Sequence, residues 1–243
     1  MRKALLFCVL FTLAGLAGCE RKYVELDPEA LGLDYLPVKV GDFKIYKVVD
    51  IKYRNNVGAK DSFEMREVVD TSFFDQTNTL SYKIIRSIKR YNQTEWVEDS
   101  VMTLTKSDKF ALLTKDNTMY VKLVFPVQEG KLWLGDAYND RVINNLETDP
   151  YLRKEPYKYT SVGEPFELNG TVYPITVTVI QGTPKDNFLQ LDNRKEVYAK
   201  GIGKVYRLFN RVVYCNDSSC PQGTGYKLNG HERHETLISY GSR

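Results

Sequence analysis

The stretch Pro165-Phe166-Glu167-Leu168-Asn169-Gly170-Thr171-Val172-Tyr173-Pro174-Ile175-Thr176-Val177-Thr178-Val179 decides the fold class. Asn169 and Gly170 both accept positive φ, as the two central positions of a type I′ turn require. The flanking runs are rich in Val, Ile, Thr, Tyr and Phe, which fit a pleated, half-buried surface. The stretch therefore reads as a β-hairpin. Pro174 lacks a backbone donor, so its strand is expected to lie at an edge or to bulge there.

The same reading extends in both directions. Lys44 to Tyr53, Phe63 to Val69, Tyr82 to Tyr91, Glu95 to Thr105 and Tyr120 to Val127 alternate between apolar and polar residues. Asn55-Asn56-Val57-Gly58 and Asp116-Asn117 separate such runs as turns, and Gly41 and Gly58 are expected to sit in turns. Gly201-Ile202-Gly203 reads as a tight turn or bulge between strands. It lacks the third glycine of a phosphate-binding loop, and strand rather than helix follows it. Residues 226–240 read as strand. Residues 136–155 are the least regular and suit a short helix or a long loop. No stretch from 37 to 243 keeps a helical period. The expected fold is mainly β: a single antiparallel meander forming a strongly curved sheet, half-barrel or barrel, with a sandwich also open.

Composition narrows the function. The chain has 243 residues, 34 Lys and Arg against 31 Asp and Glu, and a formal charge of +3. That excess is too small for a nucleic-acid partner, even though aromatics alternate with Lys and Arg in Tyr82 to Arg86 and Lys122 to Phe125. Two His and four Cys leave little material for metal or nucleophile chemistry.

Residues 1–18 pair a positive start (Arg2, Lys3) with the apolar run Ala4 to Gly18. A helix of that length rises about 22 Å, short of a hydrocarbon core of roughly 30 Å, so the pattern is that of a signal peptide. Leu16-Ala17-Gly18-Cys19 resembles the lipobox of bacterial lipoproteins. The resemblance implies cleavage before Cys19 and acylation of that residue, anchoring the chain to a lipid bilayer through more than one acyl chain. Glu20 follows, where Asp would resemble an inner-membrane retention signal, so the outer membrane is the expected location. Residues 19–36 then form the lipidated Cys and tether, with one helical turn near Pro28-Glu29-Ala30-Leu31. Residues 37–243 form one β-rich domain.

Four blocks resemble those of a family of uncharacterised Bacteroidota lipoproteins. They are Tyr35 to Asp42 followed by Tyr46-Lys47-Val48; Leu123 to Val127 with Gly130 and Trp133; Val197 to Tyr206; and Thr236 to Gly241. The family carries no assigned activity, so the resemblance implies no catalytic residue and no cofactor.

Cys215 and Cys220 bracket four residues. An oxidising compartment makes a disulfide the expectation, contributing about 2 kcal/mol for so short a loop. The alternative, zinc held by Cys215, Cys220, His231 and His234, has too short an interval between its histidines. On a strand, His231 and His234 also point to opposite faces. His231-Glu232-Arg233-His234-Glu235 is not HExxH, and no G-x-S-x-G elbow is present. Carboxylates such as Glu95, Glu98 and Asp99 read as a solvated strand rather than a glycosidase pair. Asp99-Ser100-Val101 resembles a short O-glycosylation acceptor.

The sequence thus leads to a non-enzymatic envelope lipoprotein that binds or scaffolds an envelope protein partner. A carrier of an apolar ligand, such as a lipid in the hollow of the sheet, is the alternative, and an atypical hydrolase is third. A carrier should line a volume of several hundred Å3 with apolar side chains and no polar filler.

Overall fold

The structure is a computed structural model and describes residues 27–140, 154–218, 220 and 225–243. Cys19, the leader, the tether before Asp27 and residues 141–153 lie outside the described residues. Helix α1 (Pro28–Leu31) is the helical turn that its sequence predicts. Asp27 caps it by accepting from the Glu29 amide at 2.9 Å, and Pro28 occupies the first turn, where no donor is needed. A single 3-10 turn, Leu33–Tyr35, follows.

The rest is strand. In chain order these are β1 (Asp42–Arg54), β2 (Val57–Phe74), β3 (Leu80–Arg90), β4 (Val97–Lys106), β5 (Phe110–Lys115), β6 (Thr118–Val124), β7 (Leu132–Leu134), β8 (Pro156–Leu168), β9 (Thr171–Gln181), β10 (Lys185–Asp186), β11 (Gln190–Ala199), β12 (Gly203–Tyr214) and β13 (Lys227–Ser242). They form one antiparallel sheet in the order β6-β5-β4-β3-β2-β1-β13-β12-β11-β9-β8-β7, with β10 beside β11. The meander curls until β6 and β7 face each other, giving a nearly closed barrel with one unsealed seam.

The seam runs between strands adjacent in sequence, and side chains hold it where no ladder forms. The Val121 amide donates to the Gly135 carbonyl at 2.9 Å, and Trp133 Nε1 donates to the Val121 carbonyl at 3.0 Å. The Tyr159 hydroxyl accepts from the Val124 amide at 2.9 Å and donates to the Val124 carbonyl at 3.0 Å. One phenol thus replaces a missing rung.

The turns obey the sequence. Asn169 and Gly170 both have positive φ, 52° and 80°, and join Leu168 to Thr171 as a two-residue hairpin. Asn55-Asn56 and Asp116-Asn117 do the same for β1–β2 and β5–β6. Pro174 meets both of its conditions locally. The β9–β11 pairing stops at Thr176, and the β8–β9 register slips between Glu164 and Phe166. Gly58 corrects the sequence reading. It lies within β2, not in the turn, and faces Tyr53. A Cβ there would sit 3.0 Å from that ring, so glycine leaves room for it.

Residues 27–41 cross one end of the barrel as a plug. Leu33, Leu36 and Val38 pack on the cluster of Val69, Ile84, Met102, Leu104 and Leu123. Lys106 Nζ donates to the Leu33 and Leu36 carbonyls at 2.8 and 2.7 Å, and the Gly201 amide donates to the Asp34 carbonyl at 2.8 Å. Three further stretches read as family blocks meet this plug end: the Val127 amide bonds to Leu31, the β11–β12 turn bonds to Asp34, and β13 ends beside Gly41.

The outer wall carries the half-exposed ion pairs Lys83–Asp70 and Lys89–Glu64, with Arg66 and Lys89 over the Trp96 ring. Among the described residues no helix is long and apolar enough to cross a membrane.

Candidate functional site

The unusual feature of this barrel is its inside. On β11, Asp192, Arg194, Glu196 and Tyr198 fall at every second position and so share one face. That face points into the lumen. Arg194 is 3% exposed, and it grips Asp192 through Nε–Oδ1 at 2.6 Å and Nη2–Oδ2 at 3.0 Å. Its Nη1 lies 2.6 Å from Glu155 Oε2, and Arg211 Nε lies 3.0 Å from Asp192. Three buried charges and the half-buried Arg211 thus close one network.

A second network crosses the barrel. Glu196, 2% exposed, accepts from Lys122 Nζ and from the Tyr198 hydroxyl, both at 2.6 Å. Glu235, 1% exposed, accepts from Lys204 Nζ at 2.8 Å, Arg207 Nη1 at 2.8 Å and Arg233 Nε at 2.9 Å. Arg207 also approaches Glu196 at 3.5 Å, joining the two carboxylates. Arg86 and Glu67 pair on β3 and β2, opposite each other in the register. Next to this belt, His231 Nε2 meets Asp50 at 2.6 Å.

Charge decides the protonation states. Burial raises the Glu196 carboxyl, but Lys122, Lys204 and Arg207 outweigh it and bring it down to about 2. Burial likewise opposes ionisation of Glu235, yet Lys204, Arg207 and Arg233 hold it well below the usual carboxylate range. Glu67 is lowered against its own burial by Lys204 and Arg86. Burial pushes the Lys122 ammonium down more than Glu196 pulls it up. Burying such ions costs several kcal/mol each, offset only when every partner is present.

Two cavities adjoin this belt and share Arg86, Lys115, Arg207 and Phe209 as a common wall. One, of about 430 Å3, reaches the plug. Leu36, Val38, Val69, Ile84, Met102 and Leu104 line its plug end, while Lys44, Lys122, Arg194 and Lys204 line its charged side. The other, of about 420 Å3, is walled mainly by charged groups, including Asp50, Lys52, Asp61, Arg90 and Arg233. The expectation for an apolar carrier is met in volume and corrected in lining, because the larger cavity is amphipathic. Its floor is ionic.

Of the sequence-derived candidates, His231 and Asp99 line the second cavity and the others lie elsewhere. Cys215 and Cys220 are joined by a disulfide just after β12, at the end away from the plug. Asp217 lies beside both sulfurs. The zinc set is not assembled: His231 faces the lumen on Asp50, while His234 bonds Tyr206 and Glu232 on the opposite face. Glu95, Glu98 and Asp99 are exposed. Ser100 Oγ donates to Asp99 at 3.1 Å. Cys19 lies outside the described residues.

Sequence reasoning missed the luminal charges. The signal was present in Asp192-Asn193-Arg194-Lys195-Glu196, whose alternate positions carry compensating charge on one face. The apolar alternate residues Val197 and Ala199 pointed to the opposite assignment. In the structure Val197 and Ala199 on that opposite face are buried too, in a cluster with Phe166 and Tyr173 from the β8–β9 hairpin.

No family model matches the chain, and no curated protein is similar to it. Two solved structures are. One is a candidate exported protein with a YmcC-like fold from Bacteroides fragilis, 9% identical, with 85% of this chain and 98% of that chain covered and a TM-score of 0.42. The other is a candidate lipoprotein from Parabacteroides distasonis, 10% identical, with the same coverage and a TM-score of 0.33. No residue role is taken from either.

Proposed function

We propose that this protein is a lipid-anchored, non-enzymatic envelope protein that binds a small ligand inside its barrel. The supporting observation is a cavity of about 430 Å3 with an apolar end and a polar end, within the size range of small-molecule sites. A solidly packed interior would have left only the outer surface for work. The end strands β6 and β7 face each other across the seam, which removes part of the open edge that a scaffold would offer to a partner. The luminal acids and bases of the charged belt largely neutralise one another in pairs, which supports binding over proton transfer.

The anchor fits this reading. Seven residues separate Cys19 from Asp27, and they span at most about 28 Å. Acylation of Cys19 therefore holds the plug end, and with it the apolar end of the cavity, close to the bilayer. The outer membrane is the proposed location.

Native mass spectrometry of the full chain taken from its own envelope tests the proposal. The expected result is a bound small molecule that disappears when the cavity is filled by Met102→Trp or Leu113→Trp, each variant checked for strand content by circular dichroism. A wild-type protein with no bound molecule after gentle extraction would overturn it.

A further inference from the structure

We propose that the luminal ligand is an uncharged amphiphile whose polar end is a carboxamide, hydrogen-bonded by Gln181 and Tyr157. This rests on the luminal-binding reading above and names the chemistry of that site.

Gln181 ends β9, Tyr157 lies on β8, and the register sets the two directly opposite each other. Residues paired in this way share one face of the sheet, with Cβ atoms about 5 Å apart. Both line the cavity of about 430 Å3, and each is 5% exposed. The Gln181 Nε2 is buried without an acceptor. The Tyr157 hydroxyl and the Gln181 Oε1 make no hydrogen bond among the described residues. Tyr157 is nevertheless firmly seated. A Cβ at Gly135 would clash with its ring, so glycine leaves the room, and Trp133 stands edge-on to it with 5.9 Å between centroids. The pair sits away from the plug. The Lys200 amide, in the turn that also bonds Asp34, donates to the Ile175 carbonyl, and Gln181 lies six residues further along β9, about 20 Å. Leu36 and Val38 of the plug line the same cavity at its apolar end.

Charge selects an uncharged head. Burial raises the Tyr157 phenol, Glu196 and Glu155 add to that, and Arg194 and Arg207 oppose it, so the hydroxyl keeps its proton. All four of those neighbours are already in ion pairs: Arg194 with Glu155 at 2.6 Å, Glu196 with Lys122 at 2.6 Å and Arg207 with Glu235 at 2.8 Å. What stays unmatched at this spot is neutral. A carbonyl oxygen has two lone pairs and can accept from the phenol and from Nε2 together. The Gln181 side chain is itself an amide, so a ligand amide complements its donor and its acceptor at once. A buried donor without an acceptor costs the desolvation of its polar group, and leucine at position 181 would fold at lower cost. The amide is therefore a recognition group rather than a packing one.

The test uses the full chain, stripped of endogenous ligand and held in nanodiscs of uncharged lipid, with empty nanodiscs as the blank. Binding of octanamide, octanoate and octan-1-ol is measured by calorimetry. Octanamide should bind at least tenfold more tightly than either of the others. Gln181→Leu and Tyr157→Phe should each weaken octanamide at least threefold, and the double variant should abolish its preference. The ligand-free Gln181→Leu protein should melt at the same temperature as its parent or higher; a lower melting temperature would mean that the amide serves the fold, and overturns the proposal. Octanamide affinity unchanged in both single variants overturns it as well. Octanoate or octan-1-ol binding as tightly as octanamide overturns the carboxamide head but leaves luminal binding intact. Binding of none of the three probes overturns the uncharged amide, and native mass spectrometry then decides separately whether the lumen binds anything.

Discussion

Glu235 accepts from three cations, and each of its oxygens is occupied. Glu196 is nearly as enclosed, and removing its charge would leave Lys122 facing Arg207 without compensation. Glu196→Gln should lower stability by about 3–5 kcal/mol, and adding Lys122→Met should recover part of that loss. Chemical denaturation of both variants checks it; a single substitution as mild as a surface change would contradict the network. The pH dependence follows from the same groups. Folded-state values of Glu67, Glu196 and Glu235 lie below their unfolded ones, so the stability they contribute is fully present above about pH 4.5. It is lost as pH falls toward about 2, the value for Glu196. None of this was visible residue by residue, because a lone Glu in a strand looks solvated until its neighbours across the barrel are known.

Elements were more legible than residues. Asn169-Gly170, Asp116-Asn117 and Asn55-Asn56 declared their turns through positive φ. Alternation tells which residues share a face but not which face turns inward. β11 shows the failure: its luminal face is buried, and on its other face Val197 and Ala199 are buried as well, in the cluster with Phe166 and Tyr173 of the β8–β9 hairpin, so the apolar set did not mark the inside. The seam was also hidden, since it depends on a tyrosine 35 residues away from Val124. Tyr159→Phe keeps the ring beside Trp133, 4.4 Å between centroids, but removes both bonds to Val124. The loss should be about 1–3 kcal/mol, with faster amide exchange at Val124 than at the paired strands. Unchanged exchange at Val124 would show that the seam is held by other means.

At the scale of the molecule, chain order explains the architecture. The N-terminal half builds β1 to β6, the C-terminal half returns through β7 to β13, and β13 pairs with β1 to complete the wall. The plug comes just before β1, so the segment nearest the proposed anchor closes the apolar end of the lumen. A curved sheet, half-barrel or barrel was expected from strand spacing; the ionic lumen was not, because closure is what brings Lys122 of β6 to within 2.6 Å of Glu196 on β11.

Photocrosslinking in intact cells tests luminal binding most directly, with a benzophenone amino acid in place of Leu113 inside the cavity or of Tyr240 on the surface. An adduct of one amphiphile mass at position 113 and none at position 240 is the predicted result; no small-molecule adduct at 113, or equal adducts at both positions, would contradict it.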